Sequence, residues 1–345
     1  MSLTKKYYIN QDNRKPRLKV SSIIGRIAAS IGTLLLIVLI FLTGVILILE
    51  FGPSKTARNL FVNSAMESSA GKFMATLFLS DEQISEIRNQ NSVQSSDAVT
   101  DSGLINISSS AAAPANDDEV ITVEEISGAT YKGYMAKIKD PSRVQIGISG
   151  EFGADHAGKT VTEQAQSYGA ILATNGGGFE DPNGTGNGGI PIGIVIHEGK
   201  IVWGSASKTY EIIGFDYDNK LVVGNMTGQQ AVDRGVRDAL SFGPILIVNG
   251  EPSAVNGSGS GLNPRTAIGQ CADGTIILLV IDGRSAASLG ASYADLINIM
   301  LENGAVNAAN LDGGSSSMMY YKGQIINNCS SLIGDRGIPT SVIVK

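Results

Sequence analysis

Two glycine clusters, each directly after an apolar run, carry polar residues that could do chemistry. The segment Asn310–Ser317 reads Asn-Leu-Asp-Gly-Gly-Ser-Ser-Ser and follows Ala305–Ala309. The segment Asn175–Phe179 reads Asn-Gly-Gly-Gly-Phe and follows Ala170–Thr174. Glycines at a strand end let the backbone turn sharply and let a ligand approach closely. We therefore expect a site built from loops at the ends of two buried strands, although each cluster alone could be only a tight turn.

Carboxylates near predicted strand ends are candidates for general acid, base or nucleophile. They are Asp312, Asp282, Glu180 and Asp181. Glycosidic cleavage needs a proton donor at the departing oxygen and a negative group that opposes the charge of the oxocarbenium ion. A departing phosphate is already a good leaving group, so acid assistance matters less for a glycosyl phosphate.

Three arginines also stand beside glycine turns: Arg265, Arg284 and Arg336. The planar guanidinium group matches two phosphate oxygens at once, so the three together could form an anion clamp. The alternative is that each arginine pairs with a nearby aspartate at the surface.

Several other chemistries lack their motifs. The run Gly257–Gly261 has a glycine where the serine of a nucleophile elbow must stand. His156, His197 and the two cysteines show no zinc-ligand spacing. No metal site or cofactor is predicted, although Asp-rich loops could hold a divalent cation. Pairing of Cys271 with Cys329 stays open.

One segment near the start is long and apolar enough to cross a bilayer. Residues Ile27–Leu49 carry no charge, and about 20 apolar residues suffice for a transmembrane helix. Basic residues dominate the preceding tail, which places the N-terminus in the cytoplasm and the rest of the chain outside. The part of the chain after this segment has 19 basic and 31 acidic residues, a charge near −12, which argues against a nucleic-acid partner.

The composition along the chain divides it into five predicted parts. They are a cytoplasmic basic tail (1–26), a transmembrane helix (27–49), a helical stalk (50–90), a flexible linker (91–118) and a distal domain (119–345). Apolar residues recur at helical spacing in the stalk, whose apolar face could also mediate self-association. Ser, Ala, Asn and Asp dominate the linker.

The distal domain is predicted to be α+β, with mixed, mostly antiparallel sheets and a few packed helices. Short strand-like runs joined by hairpin turns dominate it. Helices are expected at Thr160–Tyr168 and Ser292–Asn303, with a weaker third at Gln229–Ala239. Strands and helices do not alternate regularly, which argues against a parallel α/β sheet.

Five motifs together resemble the phosphodiester glycosidase domain, in the order found there. They are Asn175-Gly176-Gly177, Arg265-Thr266-Ala267-Ile268-Gly269, Asp282-Gly283-Arg284, Asn310-Leu311-Asp312-Gly313-Gly314-Ser315-Ser316 and Arg336-Gly337-Ile338-Pro339-Thr340. The resemblance covers residues 120–345. This domain occurs in the lysosomal "uncovering enzyme" and in bacterial exopolysaccharide biosynthesis proteins. The chain departs from the family by having Gly178 before Phe179 and Ser315 where a third glycine usually stands.

The resemblance implies roles for the residues of these motifs. Asp312 and Asp282 would provide acid/base catalysis or charge stabilisation, with Glu180 a further catalytic candidate. Arg265, Arg284 and Arg336 would hold the phosphate. The other residues predicted to bind substrate or shape its pocket are Asn175, Gly176, Gly177, Thr266, Asn310, Gly313, Gly314, Ser315, Ser316 and Thr340.

The resulting prediction is a membrane-anchored, extracytoplasmic hydrolase that cleaves a sugar-1-phosphodiester of the cell envelope or an exopolysaccharide. Its partners would be a phosphate-linked sugar or cell-surface glycan and the membrane. The alternative is a non-catalytic glycan-binding or polysaccharide-assembly protein with the same pocket. Cleavage at phosphorus instead of the anomeric carbon is a third possibility.

Overall fold

The computed structural model describes residues 20–68, 71–107, 117–182, 185–331 and 334–345. Most of the predicted basic tail, residues 1–19, and residues 108–116 of the predicted linker lie outside the described residues. The chain forms two compact units, which divide between Phe51 and Gly52. The finer division into stalk, linker and distal domain stays a prediction.

The first unit contains one long helix, α1 (Val20–Phe51), which includes the uncharged run 27–49. In the described part of the chain, α1 is the one helix long and apolar enough to cross a membrane. Its length of 32 residues exceeds the roughly 20 residues that a bilayer requires.

The second unit combines short helices with many strands. Its helices are α2 (Lys55–Met66), α3 (Lys72–Thr76), α4 (Asp81–Asn89), α5 (Asp117–Val120), α6 (Val161–Tyr168), α7 (Gly228–Asp233) and α8 (Tyr293–Glu302). Its strands up to residue 216 are β1 (Val93–Gln94), β2 (Ile121–Ser127), β3 (Lys132–Ile138), β4 (Val144–Ile148), β5 (Leu172–Asn175), β6 (Val195–His197), β7 (Lys200–Trp203) and β8 (Thr209–Asp216). The later strands are β9 (Leu221–Thr227), β10 (Val236–Ser241), β11 (Ile245–Val248), β12 (Glu251–Pro252), β13 (Ala254–Val255), β14 (Arg265–Cys271), β15 (Ile276–Ile281), β16 (Ala305–Leu311), β17 (Met319–Tyr321), β18 (Gln324–Ile325) and β19 (Thr340–Val344).

These strands form three main sheets and a two-stranded ladder of β1 and β13. The largest sheet has the order β12-β11-β16-β14-β15-β3-β2, and the two five-stranded sheets have the orders β7-β6-β10-β8-β9 and β18-β17-β5-β19-β4. Neighbouring strands within them run antiparallel, for example β14 with β16 and β5 with β19. The predicted α+β class with mainly antiparallel sheets is therefore confirmed.

Apolar side chains from the three sheets meet in one buried cluster, which includes Ile213, Phe215, Ile268, Leu278 and Val342. The central strands β14, β15 and β16 are buried along nearly their whole length. Buried strands of this kind read as continuous apolar runs, which is why the sequence shows them clearly. They provide a rigid base for the loops at their ends.

Hydroxyl residues begin several helices with reciprocal hydrogen bonds to the third residue of the helix. Ser80 with Gln83 begins α4, Thr160 with Glu163 begins α6, and Ser292 begins α8. Such capping boxes satisfy backbone N–H groups that otherwise lack partners. The helices predicted at 160–168 and 292–303 are confirmed.

The predicted helix at Gln229–Ala239 is only half correct. Helix α7 ends at Asp233, and β10 begins at Val236. Gly235 has a left-handed φ of 76°, a conformation that ends helices readily. The following residues pair with β8 and bury Val236 and Ala239, so tertiary packing overrides the helical spacing.

Candidate active site

Strand pairing brings three of the sequence motifs together at the ends of neighbouring strands in the seven-stranded sheet. Thr266 of β14 is opposite Leu311 of β16, and Arg265 is opposite Ile281 of β15. Because β14 runs antiparallel to both neighbours, its first residues lie beside the last residues of β15 and β16. The segments that begin at Asp282 and Asp312 therefore leave the sheet next to Arg265.

Asn175, the last residue of β5, joins these strand ends to a second sheet. Its Nδ2 donates to the backbone carbonyl of Asp312 at 2.6 Å, and its Oδ1 accepts from Thr266 Oγ1 at 2.7 Å and from the Met318 N–H at 3.2 Å. The Asp312 N–H donates to the Gly176 carbonyl at 3.0 Å. Asn175 is 1% exposed, so its role is to hold the two strand ends together.

Thr340 fixes the glycine turn that follows Asn175. Its carbonyl accepts from the Gly176 N–H at 3.0 Å and its Oγ1 accepts from the Gly177 N–H at 2.9 Å. A Cβ at Gly176 would lie 2.7 Å from Thr340 Oγ1, so this close approach requires glycine. Gly177, Thr266 and Thr340 are buried behind the site, where they support it.

A cavity of about 730 Å³ opens between these segments. Residues predicted for the site that line it are Arg265, Arg284, Asn310, Asp312, Gly313, Gly314, Ser315, Ser316 and Arg336. Further lining residues include Glu67, Gly178, Phe179, Asp181, Ile192, Phe242, Asn263 and Tyr293. The cavity thus has both charged and apolar walls.

Among the carboxyl groups of this cavity, Asp312 is the one whose pKa is shifted most clearly by burial. Burial raises the pKa of Asp312 from 3.8 to about 6, although the Ser316 hydroxyl and the Gly313 N–H donate to the carboxylate and oppose that rise. The Gly313 bond is 2.9 Å long. A carboxyl group with this pKa can take up or release a proton near neutral pH.

Arg336 is already occupied by a carboxylate. Its Nη1 and Nη2 donate to the two oxygens of Asp181 at 2.8 and 2.6 Å, and its guanidinium group lies 5.0 Å from the centre of the Phe179 ring. The hydrogen bond to Arg336 holds the pKa of Asp181 below its ordinary value. This pair therefore presents little net charge to a ligand.

Arg265 is likewise paired, whereas Arg284 is not. Arg265 donates to Glu67 Oε2 at 2.6 Å and is 4% exposed. Arg284 is exposed, and its Nη2 donates to Asn263 Oδ1 at 3.2 Å. Among the described residues, Arg284 is the cavity arginine without a carboxylate partner. Two of the three predicted clamp arginines thus already hold carboxylates.

Asp282 and Glu180 do not share the cavity with Asp312. Asp282 Oδ1 accepts from Asn327 Nδ2 at 3.0 Å and from the Asn328 N–H at 2.9 Å, and burial raises the pKa of Asp282. These bonds hold the loop at 327–328. Glu180 is exposed, while its neighbour Asp181 faces Arg336. This placement gives no support to the predicted catalytic roles of Asp282 and Glu180.

Several cavity residues were not predicted from the sequence: Glu67, Ile192, Phe242, Asn263 and Tyr293. None belongs to the five motifs that carry the family resemblance, and Glu67 lies in the helical segment assigned to the stalk. Both cysteines are free and half-buried. Among the residues described, no cluster of three or more His, Cys, Asp or Glu side chains could hold a metal ion.

Comparison with known proteins matches residues 168–345, just over half of the chain, to the phosphodiester glycosidase family model. Over 200 residues the chain is 31% identical to the uncharacterised SPbeta prophage-derived protein YomE of Bacillus subtilis (strain 168), covering 54% of this chain and 29% of YomE. Over 225 residues it is 25% identical to the N-acetylglucosamine-1-phosphodiester alpha-N-acetylglucosaminidase of Mus musculus, covering 59% of this chain and 42% of that enzyme. The chain thus spans less than half of the length of either relative.

A solved structure has a similar fold. It is the catalytic domain of the zebrafish N-acetylglucosamine-1-phosphodiester alpha-N-acetylglucosaminidase, auto-inhibited by its pro-peptide. The match has a TM-score of 0.56 at 22% sequence identity and covers 69% of this chain and 86% of that domain. At this identity the likeness establishes the fold.

Proposed function

This chain belongs to the phosphodiester glycosidase family, a family of hydrolases, and from that premise we propose that it hydrolyses a sugar-1-phosphodiester at the anomeric carbon. The products would be a free sugar and a phosphomonoester. The observation that carries the proposal is the presence of Asp312, with a pKa of about 6, and the carboxylate-free Arg284 in one cavity. A glycosyl phosphate needs a cation for the phosphate and a proton-transfer group near the anomeric carbon.

Arg284 would bind the phosphate. Its guanidinium group reaches the cavity past Gly314, where a Cβ would lie 3.2 Å from Arg284 Nη2. Gly314 also has a left-handed φ of 63°. Glycine is therefore favoured here for two reasons: it adopts this backbone conformation readily, and it leaves room for the arginine side chain. A planar guanidinium group can donate to two phosphate oxygens at once.

The sugar would lie against the less polar wall formed by Gly178, Ile192 and Phe242. Asn310 borders the same cavity and is 1% exposed. Its Nδ2 donates to the Gly243 carbonyl at 2.8 Å, while its Oδ1 has no hydrogen-bond partner in the described part of the chain. A buried acceptor without a partner is costly, and a sugar hydroxyl or amide N–H would satisfy it.

Asp312 would act as the base that activates water, or as the negative group opposing the oxocarbenium charge. Phosphate leaves readily, so a strong proton donor at the departing oxygen is not needed. The other described carboxylates lining the cavity, Glu67 and Asp181, each form an ion pair with an arginine. Among the described carboxyl groups that line the cavity, Asp312 is therefore the one available for proton transfer.

We place this activity outside the cytoplasm, with α1 as a single-pass anchor and the basic residues before it in the cytoplasm. The substrate would then be a phosphate-linked sugar of the envelope, an exopolysaccharide or another surface glycan. The exposed apolar side chains of Phe73, Leu77 and Phe78, in the helical segment Lys55–Asn89, would be the surface for self-association.

The test uses the full chain in detergent micelles with a defined sugar-1-phosphodiester. Wild type should release free sugar and a phosphomonoester, and the Asp312→Asn variant should not. Asp218→Asn, in an exposed turn, is the matched control. In ¹⁸O-labelled water the phosphomonoester should stay unlabelled; label there would mean attack at phosphorus. Glycan binding without any release of sugar would favour a non-catalytic glycan-binding protein.

A further inference from the structure

The wall of the cavity includes a carboxylate from outside the region that matches the family. Glu67 follows directly after helix α2, more than a hundred residues before the matched region begins at residue 168. Its side chain is 23% exposed and lines the cavity beside Arg265. The segment that carries it therefore contributes to the site itself.

Glu67 accepts hydrogen bonds from three different kinds of donor. Its Oε2 accepts from Arg265 Nη2 at 2.6 Å and from Asn263 Nδ2 at 2.9 Å, and its Oε1 accepts from the Gly261 N–H at 3.2 Å. One turn earlier in α2, Ser64 Oγ accepts from the Leu262 N–H at 2.8 Å. These contacts hold the end of α2 against the loop that precedes β14.

The contacts of Arg265 show what Glu67 does. Besides Glu67, its Nη2 donates to Ser260 Oγ at 2.9 Å and to the Gly261 carbonyl at 3.0 Å, and its Nε donates to the Ala291 carbonyl at 3.1 Å. Its guanidinium group lies 4.1 Å from the centre of the Tyr293 ring. Arg265 is thus fixed in place, and Glu67 supplies the charge that opposes it.

Asn263 links this pair to Arg284. Its Nδ2 donates to Glu67, and its Oδ1 accepts from Arg284 Nη2 at 3.2 Å. With Glu67 charged, the group of Glu67, Arg265 and Arg284 has a net charge of +1, and its unpaired cation is Arg284. With Glu67 neutral, two cations would border the same cavity.

We infer that Glu67 is a positioning residue of the active site, which neutralises and orients Arg265 so that Arg284 alone meets the phosphate. This inference rests on the proposed function of the cavity. It also means that the working catalytic unit includes the helices at Lys55–Asn89, because a fragment beginning near residue 120 would lack Glu67. The cavity coexists with Glu67 in its wall, so this carboxylate does not take the place of substrate.

The primary test measures binding of inorganic phosphate by calorimetry, with the full chain in micelles. Glu67→Gln should bind phosphate roughly 5- to 10-fold more tightly, because one opposing charge is removed at partial solvent exposure. Glu67→Asp keeps the charge and should stay within about 2- to 3-fold of wild type on the same electrostatic argument. Glu86→Gln, at an exposed position of α4, is the matched control and should not change binding.

Thermal unfolding first identifies the variants that fold. In folded Glu67→Gln, unchanged or weaker phosphate binding would overturn the inference, as would the absence of phosphate binding from both this variant and wild type. This readout needs no turnover, so it separates the inference from the proposed hydrolysis. Where sugar is released, kcat should fall in Glu67→Gln and recover in part in Glu67→Asp. An unchanged or higher kcat in folded Glu67→Gln would contradict a positioning role.

Discussion

Arg336 binds Asp181 through two nearly equal hydrogen bonds, of 2.8 and 2.6 Å, that join both terminal nitrogens to both carboxylate oxygens. This is the bidentate geometry that a guanidinium group would otherwise offer to a phosphate. The arginine that the sequence presents as a phosphate ligand is thus satisfied before any ligand arrives. A phosphate would have to displace Asp181 or bind elsewhere.

The three predicted clamp arginines therefore have different roles. Arg336 and Arg265 bind carboxylates and shape the cavity walls, whereas Arg284 donates to the side-chain amide oxygen of Asn263. Electrostatic attraction of a phosphodiester should therefore depend mainly on Arg284.

Replacing Arg284 should weaken substrate binding more than it slows turnover. Charge-assisted hydrogen bonds contribute about 1.5–3 kcal/mol each, so Arg284→Gln should raise KM for a sugar-1-phosphodiester roughly 10- to 100-fold. Arg284→Lys keeps the charge but lacks the planar guanidinium group that donates to two oxygens, so it should recover part of the lost affinity. Steady-state kinetics of the two variants provide the measurement.

Arg88→Gln is the control for Arg284, since Arg88 is an exposed arginine in the last turn of α4. An unchanged KM in folded Arg284→Gln would show that phosphate binds elsewhere, with displacement of Asp181 from Arg336 as the next candidate.

Breaking the pair of Asp181 and Arg336 should cost stability. Their side chains are 19% and 8% exposed, so Asp181→Asn would leave a largely buried cation unpaired, at a cost of about 2–4 kcal/mol. Arg336 lowers the pKa of Asp181, so this contribution is present above the ordinary carboxyl pKa and is lost as pH falls through the lowered value. Urea unfolding at neutral pH and near pH 3 should show the gap between wild type and variant narrowing in acid. A constant gap would contradict a charge-based contribution.

The pH dependence of turnover should reflect Asp312. With a pKa of about 6, its carboxylate form prevails above that value, and a base must be deprotonated to act. We expect kcat/KM to fall about tenfold per pH unit below this pKa and to level off above it. Asp312→Asn should remove this acidic limb from any residual activity. A profile that is flat between pH 5 and 7 would exclude Asp312 as the base.

Asp312→Asn should also stabilise the fold at alkaline pH. The pKa is about 6 in the folded chain against an ordinary value of 3.8, so folding favours the protonated form. Stability is therefore lost as pH rises from the ordinary value through about 6, and the full penalty applies at pH 8. Removing the charge should raise the free energy of unfolding there by up to about 3 kcal/mol, the equivalent of a pKa rise of roughly two units. The difference should vanish near pH 3, which chemical denaturation can check.

The positions of the site loops could be predicted because they depend on strand ends. Asp312 follows a continuous buried strand and Asn175 ends another, and both apolar runs are visible in the sequence. The glycines that follow these strands are also visible in the sequence, and they indicate sharp turns. Local rules also place the capping boxes of α4 and α6, since a cap needs only a hydroxyl and its partner three residues later.

The pairing of side chains could not be predicted because it depends on contacts far apart in sequence. Glu67 and Arg265 are separated by 198 positions, and no spacing rule connects them. Glu180 and Asp181 are adjacent acidic residues that the sequence does not distinguish. In the structure Glu180 is exposed to solvent, whereas Asp181 binds Arg336. Asp282 stands at a strand end as predicted, but nearby amides of Asn327 and Asn328 hold it outside the cavity.

Gly178 and Phe242 provide a test of the proposed sugar wall. A Cβ at Gly178 would lie 2.7 Å from Phe242 Cε2 and 3.1 Å from Cδ2, which is too close for the ring to stay where it is. Both residues line the cavity. Gly178→Ala should therefore push the ring toward the space proposed for the sugar and raise KM by about 10-fold, an effect of ~1.4 kcal/mol. The value of kcat should change little, because Asp312 and its hydrogen bonds are not displaced.

The double variant Gly178→Ala with Phe242→Leu separates displacement of the ring from simple damage. Leucine is shorter than the ring, so it relieves the contact and should bring KM most of the way back toward that of Phe242→Leu alone. Additive effects of the two substitutions would mean that the residues act independently. A Gly178→Ala variant with the KM of wild type would place the sugar away from this wall, and Asn310→Ala would then be the variant that decides where the sugar binds.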